Sequence, residues 1–75
     1  MRGLEIFVVY RSPADYPGAW IVRRSTVTET GAMIWDASPF SVRGTLFGAR
    51  EAIPPGLVRL DRDPSDPPVI WEIWL

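Results

Sequence analysis

The side chains that could do chemistry in this sequence are carboxylates and guanidinium groups, because it contains no His, no Cys and no Lys. A nucleophilic site needs a base beside the nucleophile, so the common catalytic triads and dyads cannot be built. Glu72 is the best acid–base candidate, since its apolar sequence neighbours would raise the pKa of its carboxyl. We expect instead a structural carboxylate paired with Arg23, Arg24 or Arg59 on a neighbouring strand, because an unpaired buried charge is costly. The sequence predicts a protein that is not an enzyme; a catalytic Glu72 would need a deep pocket around it.

Three neighbouring aspartates, Asp61, Asp63 and Asp66, are the remaining candidates for a metal site. Calcium loops place oxygen ligands at alternating positions, with a glycine at the bend and a distal bidentate Glu. Both are missing here and Pro64 interrupts the run, whereas Asp and Pro are ordinary turn residues. The usual zinc ligand sets need His or Cys. We therefore expect neither a metal nor a cofactor.

Arginine and tryptophan form a second set with recognition chemistry. All eight basic residues are Arg. Arg11, Arg23, Arg24 and Trp20 lie close together along the sequence, and such a set can bind single-stranded nucleic acid by charge and stacking. However, neighbouring arginines on a strand alternate between faces, and a formal net charge of −1 provides little phosphate neutralisation. Nucleic-acid binding is therefore the alternative interpretation.

The four tryptophans favour a protein–protein contact. Aromatic side chains are enriched at the centres of interfaces, and a small domain cannot bury all of them deeply. The candidate interaction residues are Trp20, Trp71, Trp74, Arg23 and Arg24. The sequence predicts a small non-enzymatic accessory protein that acts as a protein-interaction module, with itself or another protein as the partner.

Two apolar segments far apart in the sequence predict neighbouring strands. Residues 69–75 read Val-Ile-Trp-Glu-Ile-Trp-Leu, which is rich in strand-forming residues and apolar on both faces apart from Glu72. Residues 4–10 are also largely apolar on both faces. Since strands of this kind lie inside a sheet, we expect the two to pair, with the C-terminal strand at the centre of the fold.

The remaining segments predict short strands and one helix. Residues 19–28 and 32–35 are strand candidates, preceded by a type II turn at Pro17-Gly18. Thr45 is a candidate N-cap for a helix over residues 46–53. Residues 57–62 would then form a hairpin with the C-terminal strand.

The fold class that follows is α+β, in one domain spanning residues 1–75. We expect a small antiparallel sheet of four or five strands with one short helix, in the order ββ(β)αββ. No apolar run approaches the roughly 20 residues that span a bilayer. Glu5 stands where a signal peptide would begin its apolar region. We therefore expect a cytoplasmic protein without membrane contact.

The sequence Pro-Pro-Gly-Leu-Val-Arg-Leu-Asp-Arg-Asp-Pro-Ser-Asp-Pro-Pro-Val-Ile at residues 54–70, followed by Glu-Ile-Trp-Leu at 72–75, resembles a group of short uncharacterised proteins of bacteria and their phages. Asp-Tyr-Pro-Gly at 15–18 and Ile-Val-Arg-Arg at 21–24 resemble the same group. The resemblance covers more than half of the chain. It implies a compact accessory domain of phage or mobile-element origin and transfers no catalytic residue. The group has more Glu where Phe47 and Gly48 stand in this helix.

A sheet covered by one short helix leaves its other face open. That face would expose either Phe7, Val9, Ile70 and Trp74 or the residues of the opposite alternation. Large contiguous apolar patches are unusual on monomers, and burying one stabilises a domain without disulfides or metals.

We therefore expect a two-fold homodimer through this face or an edge strand, with Trp71 or Trp74 near the interface centre. The alternative is a monomer in which residues 36–44 cover the face with Phe40 and Val42.

Overall fold

The computed structural model describes residues 4–75; residues 1–3, which belong to the N-terminal segment used to predict localisation, lie outside them. The predicted α+β class is confirmed. The elements in chain order are β1 (Leu4–Arg11), β2 (Trp20–Val27), β3 (Met33–Trp35), β4 (Ser41–Arg43), α1 (Leu46–Ala52), β5 (Arg59–Asp61) and β6 (Ile70–Trp74).

The sheet is antiparallel throughout and runs in the order β3-β2-β1-β6-β5, with β4 also paired to β2. The predicted pairing of the first and last strands, the C-terminal hairpin and the short third strand are confirmed. β1 rather than β6 is the middle strand. β4 is an additional strand, and its three residues are too few to show an alternating pattern.

The helix α1 covers one face of this sheet, which we call the helix face. Phe7 and Val9 of β1 and Val22 of β2 pack against Ala49 of α1 and against Ile53, which follows the helix. These five side chains form the buried core. Fully burying side chains such as Phe, Val and Ile contributes about 1.5–3 kcal/mol each, so this small cluster stabilises the docking of the helix on the sheet. Four partly buried side chains complete it: Trp20, Leu46, Leu57 and Trp74.

Local signals set the ends of α1. The Thr45 hydroxyl accepts a hydrogen bond from the Gly48 N–H at 3.0 Å, which confirms the predicted N-cap. Ile53 is extended because it precedes a proline. A Cβ at Gly48 would lie 3.2 Å from the Thr45 hydroxyl oxygen, so the glycine allows this close cap. Within residues 4–75, no helix has the length and hydropathy needed to cross a membrane.

The connection between β1 and β2 contains the predicted type II turn. The Ala19 N–H donates to the Tyr16 carbonyl at 3.2 Å. Gly18 between them has φ +78°, a conformation that glycine adopts without strain. The chain therefore reverses tightly here and brings β2 back along β1.

Candidate functional site

The sheet face opposite α1, which we call the open face, carries the most distinctive surface of the molecule. Strand register places Ile6, Val8 and Tyr10 on it, because these residues alternate with the core residues of the helix face. A groove of about 330 Å³ runs along this face. Its lining is apolar apart from Asp66 and comprises Ile6, Val8, Tyr10, Met33, Trp35, Leu60, Ile70, Ile73 and Leu75.

The borders of the groove are exposed, whereas its floor is buried by neighbouring strands. Val8 in the central strand is only 5% exposed, but Met33 is 52%, Trp35 44% and Leu60 45% exposed. These side chains come from strands on opposite sides of β1. The groove is therefore an apolar surface with exposed borders on both sides of β1, which is unusual on a monomer. The sequence left two alternations open for this surface. Phe7, Val9 and Trp74 lie on the helix face, and the opposite alternation, together with Ile70, forms the open face.

The loop between β1 and β2 is tied to the open face by one ion pair. Arg23 pairs with Val8 in the register and so points to this side. Its guanidinium donates to the Asp15 carboxylate in that loop at 2.6 Å. Nearby, burial raises the pKa of the Tyr10 hydroxyl, and the charge of Arg23 partly opposes the rise. A charged pair thus lies on the open face outside the lining of the groove.

The segment of residues 36–44 does not cover the open face. Phe40 packs edge-to-face against Phe7, with 5.0 Å between ring centroids, and Phe7 belongs to the helix face. Only Val42 of this segment shares the open-face register, through its pairing with Ile21, and it is 50% exposed at the edge. The predicted cover of the open face by Phe40 and Val42 is therefore wrong.

A β-bulge in β6 changes the position of Trp71. Val9 pairs with Glu72 and Tyr10 with Ile70, which leaves Trp71 as the extra residue between them. Simple alternation would place the Trp71 side chain on the open face, the same face as Ile73, but the bulge turns it to the helix face.

On the helix face Trp71 packs against Trp20 at 5.4 Å between ring centroids. The Arg11 guanidinium carbon lies 5.3 Å from the centroid of Trp71 and 5.8 Å from that of Trp20. Trp74 contacts the core on the same side. Three of the four tryptophans therefore lie on the helix face, and Trp35 is the one that borders the open face.

The arginines proposed for nucleic-acid binding are divided between the two faces. Arg24 pairs with Phe7 and lies on the helix face, where it donates to Asp36 at 2.9 Å. Arg23 lies on the open face and is bound to Asp15. Arg11 joins Trp20, but the four residues do not form one surface.

Glu72 is a buried, fully paired carboxylate on the helix face. It is 3% exposed and accepts two hydrogen bonds from Arg50, from Nε to Oε1 at 2.8 Å and from Nη2 to Oε2 at 2.9 Å. The Trp74 indole N–H donates to Oε1 at 3.1 Å, and Arg59 Nη1 lies 3.8 Å from Oε2. Arg59 is thus confirmed as a partner, while Arg23 and Arg24 bind other carboxylates.

The principal partner, Arg50, lies on the helix and is not one of the three partners predicted from the sequence. It follows Leu46 by one helical turn and so borders the apolar stripe that faces the sheet, which is the signal that could have identified it. Burial raises the pKa of the Glu72 carboxyl, but Arg50, Trp74 and Arg59 outweigh that effect and hold the pKa below its ordinary value. Hydrogen bonding to the carboxylate raises the pKa of Arg50. Both groups therefore stay charged, as a structural ion pair.

A second concave region, which we call the arginine cleft, lies between α1 and the C-terminal hairpin. Its volume is about 410 Å³ and it is open to solvent. The lining combines charged side chains with one indole: Leu46, Arg50, Arg59, Asp61, Arg62, Trp71 and Glu72.

The aspartates considered for metal binding close the turn between β5 and β6. The Asp63 carboxylate accepts hydrogen bonds from the Ser65 hydroxyl at 2.7 Å and backbone N–H at 2.8 Å, and these bonds lower the pKa of Asp63. Asp66 accepts from the Asp63 N–H at 3.1 Å. Among residues 4–75, no three acidic groups are placed to hold a metal ion together.

Comparison of the chain with models of known protein families, with curated proteins and with solved structures gives no match.

Proposed function

We propose that this protein is a non-enzymatic, cytoplasmic accessory module that self-associates as a homodimer through the open face. The observation that carries the proposal is the apolar groove with exposed borders on that face. Burying such a surface against an identical copy removes apolar area from water on both sides at once.

The size of the molecule is compatible with such an interface. Its two longer dimensions are 37 and 27 Å, so the broadest cross-section of the molecule is of the same order as the roughly 800 Å² that each partner of a stable complex buries. A small domain without cysteines gains little stability from other sources. The dimer is therefore expected to unfold at a temperature that rises with protein concentration.

The state of Glu72 supports a non-enzymatic role. Arg50 and Trp74 already occupy its two oxygens, and its pKa lies below the ordinary value. A general base is most effective with a pKa near the working pH, so this carboxylate is poorly suited to proton transfer.

The test is the solution mass, measured by light scattering on a size-exclusion column at tens of micromolar. We expect about twice the chain mass of 8.5 kDa. Met33→Lys and Leu60→Lys each place a charge on an exposed border of the groove. Each should weaken the dimer at least tenfold, because the charge would be buried in both copies.

Phe47→Lys is the matched control, since Phe47 is a 71% exposed apolar side chain on α1, away from the open face. This variant should keep the wild-type mass, and so should Trp74→Ala if it remains folded. A wild-type mass near 8.5 kDa, or a dimer that Met33→Lys and Leu60→Lys leave intact, would overturn the proposal.

A further inference from the structure

The arginine cleft lies on the helix face, so self-association through the open face leaves it accessible. Its volume of about 410 Å³ falls within the range of roughly 300–1,000 Å³ typical of small-molecule sites. The charged groups of its lining are three guanidinium groups and two carboxylates, from Arg50, Arg59, Arg62, Asp61 and Glu72. The chemistry of this lining indicates what kind of ligand it suits.

Two of the three guanidinium groups have N–H donors that could bind a ligand. Arg50 is committed to Glu72 through two bonds. Arg59 has a side chain 48% exposed and approaches Glu72 only at 3.8 Å, which is beyond hydrogen-bond distance. Arg62 donates from Nη1 to the Asp66 carbonyl at 2.8 Å and retains its other N–H groups. Planar guanidinium groups bind phosphate oxygens in pairs, so these two arginines suit a phosphate.

Trp71 contributes an aromatic wall to the same cleft. It is 38% exposed and is held in place by Trp20 and Arg11. Stacking of a nucleobase on an aromatic side chain is worth about 1–3 kcal/mol. An indole fixed by its neighbours loses little entropy when a planar ring packs against it.

Asp61 distinguishes a nucleotide from an acidic peptide. Its carboxylate lies on β5 opposite Glu72 and lines the cleft beside Arg59 and Arg62. A carboxylate is a good acceptor for the hydroxyls of a ribose, as in dinucleotide-binding folds, whereas the carboxylate side chains of an acidic peptide offer it no donor.

We propose that the arginine cleft binds a ribonucleotide monophosphate unit. Arg59 and Arg62 hold the phosphate, Trp71 stacks on the base and Asp61 accepts from the ribose hydroxyls. The unit is either a free nucleotide or one nucleotide of a single-stranded RNA. Neither source requires the set Arg11, Arg23, Arg24 and Trp20 to form one surface.

The experiment is a titration of ¹⁵N-labelled full chain followed by amide and indole chemical shifts. The ligands are AMP, inorganic phosphate, adenosine, deoxy-AMP and a short single-stranded RNA. We expect AMP to shift the signals of residues 59–62 and the Trp71 indole. It should bind at least tenfold more tightly than phosphate or adenosine and severalfold more tightly than deoxy-AMP.

Variants test the assigned roles. Arg59→Gln, Arg62→Gln and Trp71→Leu should each weaken AMP binding at least fivefold, and Asp61→Asn should abolish the preference for AMP over deoxy-AMP. Arg43→Gln is the matched control, because Arg43 lies on β4 outside the cleft and binds Ser41; it should bind as wild type does. The spectrum of each variant without ligand shows whether it is folded.

The titration with RNA distinguishes a free nucleotide from a nucleotide of a single-stranded RNA. RNA that binds more tightly than AMP, through the same residues, identifies a strand as the ligand, and the reverse identifies a free nucleotide. Equal binding of phosphate and AMP, shifts outside the cleft, or folded Arg59→Gln and Arg62→Gln variants with wild-type affinity would overturn the proposal. The solution mass is measured separately, so failure here is distinct from failure of the homodimer.

Discussion

Replacing Glu72 with Gln removes the charge of the buried carboxylate while keeping its shape. Three N–H groups donate to this side chain, two from Arg50 and one from Trp74. Gln offers one oxygen in place of two, and its amide N–H₂ would face a guanidinium donor. The substitution therefore weakens the contact that ties α1 to β6 without creating a cavity.

The expected loss of stability follows from these contacts. Hydrogen bonds to a charged group contribute about 1.5–3 kcal/mol each and neutral ones about 0.5–1.5 kcal/mol. Breaking a fully buried ion pair costs about 3–5 kcal/mol. The Arg50 side chain is 35% exposed, so it can turn towards water and recover part of that energy. We expect a loss of about 2 kcal/mol, or about 10 °C in Tm for a domain of this size.

The loss should depend on pH. The folded-state pKa of Glu72 lies below its ordinary value of 4.5. The charged carboxylate therefore stabilises the wild type fully above that value, and this contribution disappears as the pH falls through the folded-state pKa. The stability difference between wild type and Glu72→Gln should be constant near neutral pH and should shrink in acid.

Urea unfolding followed by tryptophan fluorescence, at a series of pH values, measures this difference. Glu51→Gln is the control, because Glu51 neighbours Arg50 on the same helix but is exposed; its stability should change by less than about 0.5 kcal/mol. A Glu72→Gln variant as stable as wild type at neutral pH would refute the structural role of the Glu72 charge. A difference that persisted unchanged into strong acid would equally refute it.

Two further substitutions test local features of the fold by thermal unfolding. Thr45→Ala removes the acceptor for the Gly48 N–H and should cost about 1 kcal/mol, whereas Thr45→Ser should be nearly neutral; equal losses for the two would contradict the capping role. Gly18→Ala places a Cβ at φ +78° and should cost about 1 kcal/mol. Gly44→Ala is the control, because a Cβ at Gly44 would meet no atom and the backbone there has no positive φ. It should lower stability less than Gly18→Ala, and equal losses for the two would argue against strain at the turn.

The features predicted correctly from the sequence are those encoded locally. Side-chain alternation and proline positions identify β1, β2 and the C-terminal hairpin. Thr45 marks the start of α1, and the predicted end of the helix lies one residue beyond the observed one. Each signal lies inside the element that it predicts, so no knowledge of packing is needed.

The features that sequence reasoning missed depend on how the elements pack. β1 is apolar on both faces, so its alternation cannot show which face α1 covers, and that choice decides whether Phe7 or Val8 borders solvent. The bulge at Trp71 interrupts the alternation by one residue, so the face assigned to that tryptophan was wrong. The Arg50–Glu72 pair joins residues 22 positions apart and exists only once the helix has docked.

The pairing of β1 with β6 has a consequence during synthesis. β1 is made first among the described strands, yet its neighbour β6 is made last, and Phe7 must find Trp74 across nearly the whole chain. Contacts so distant in sequence slow folding, because the intervening chain must be closed into a loop first. Until β6 leaves the ribosome, the nascent chain presents an unpaired edge of β1, a strand that is largely apolar on both faces. A ribosome-bound chain stalled before residue 70 should therefore bind holdase chaperones, and one extended past β6 by a linker should release them.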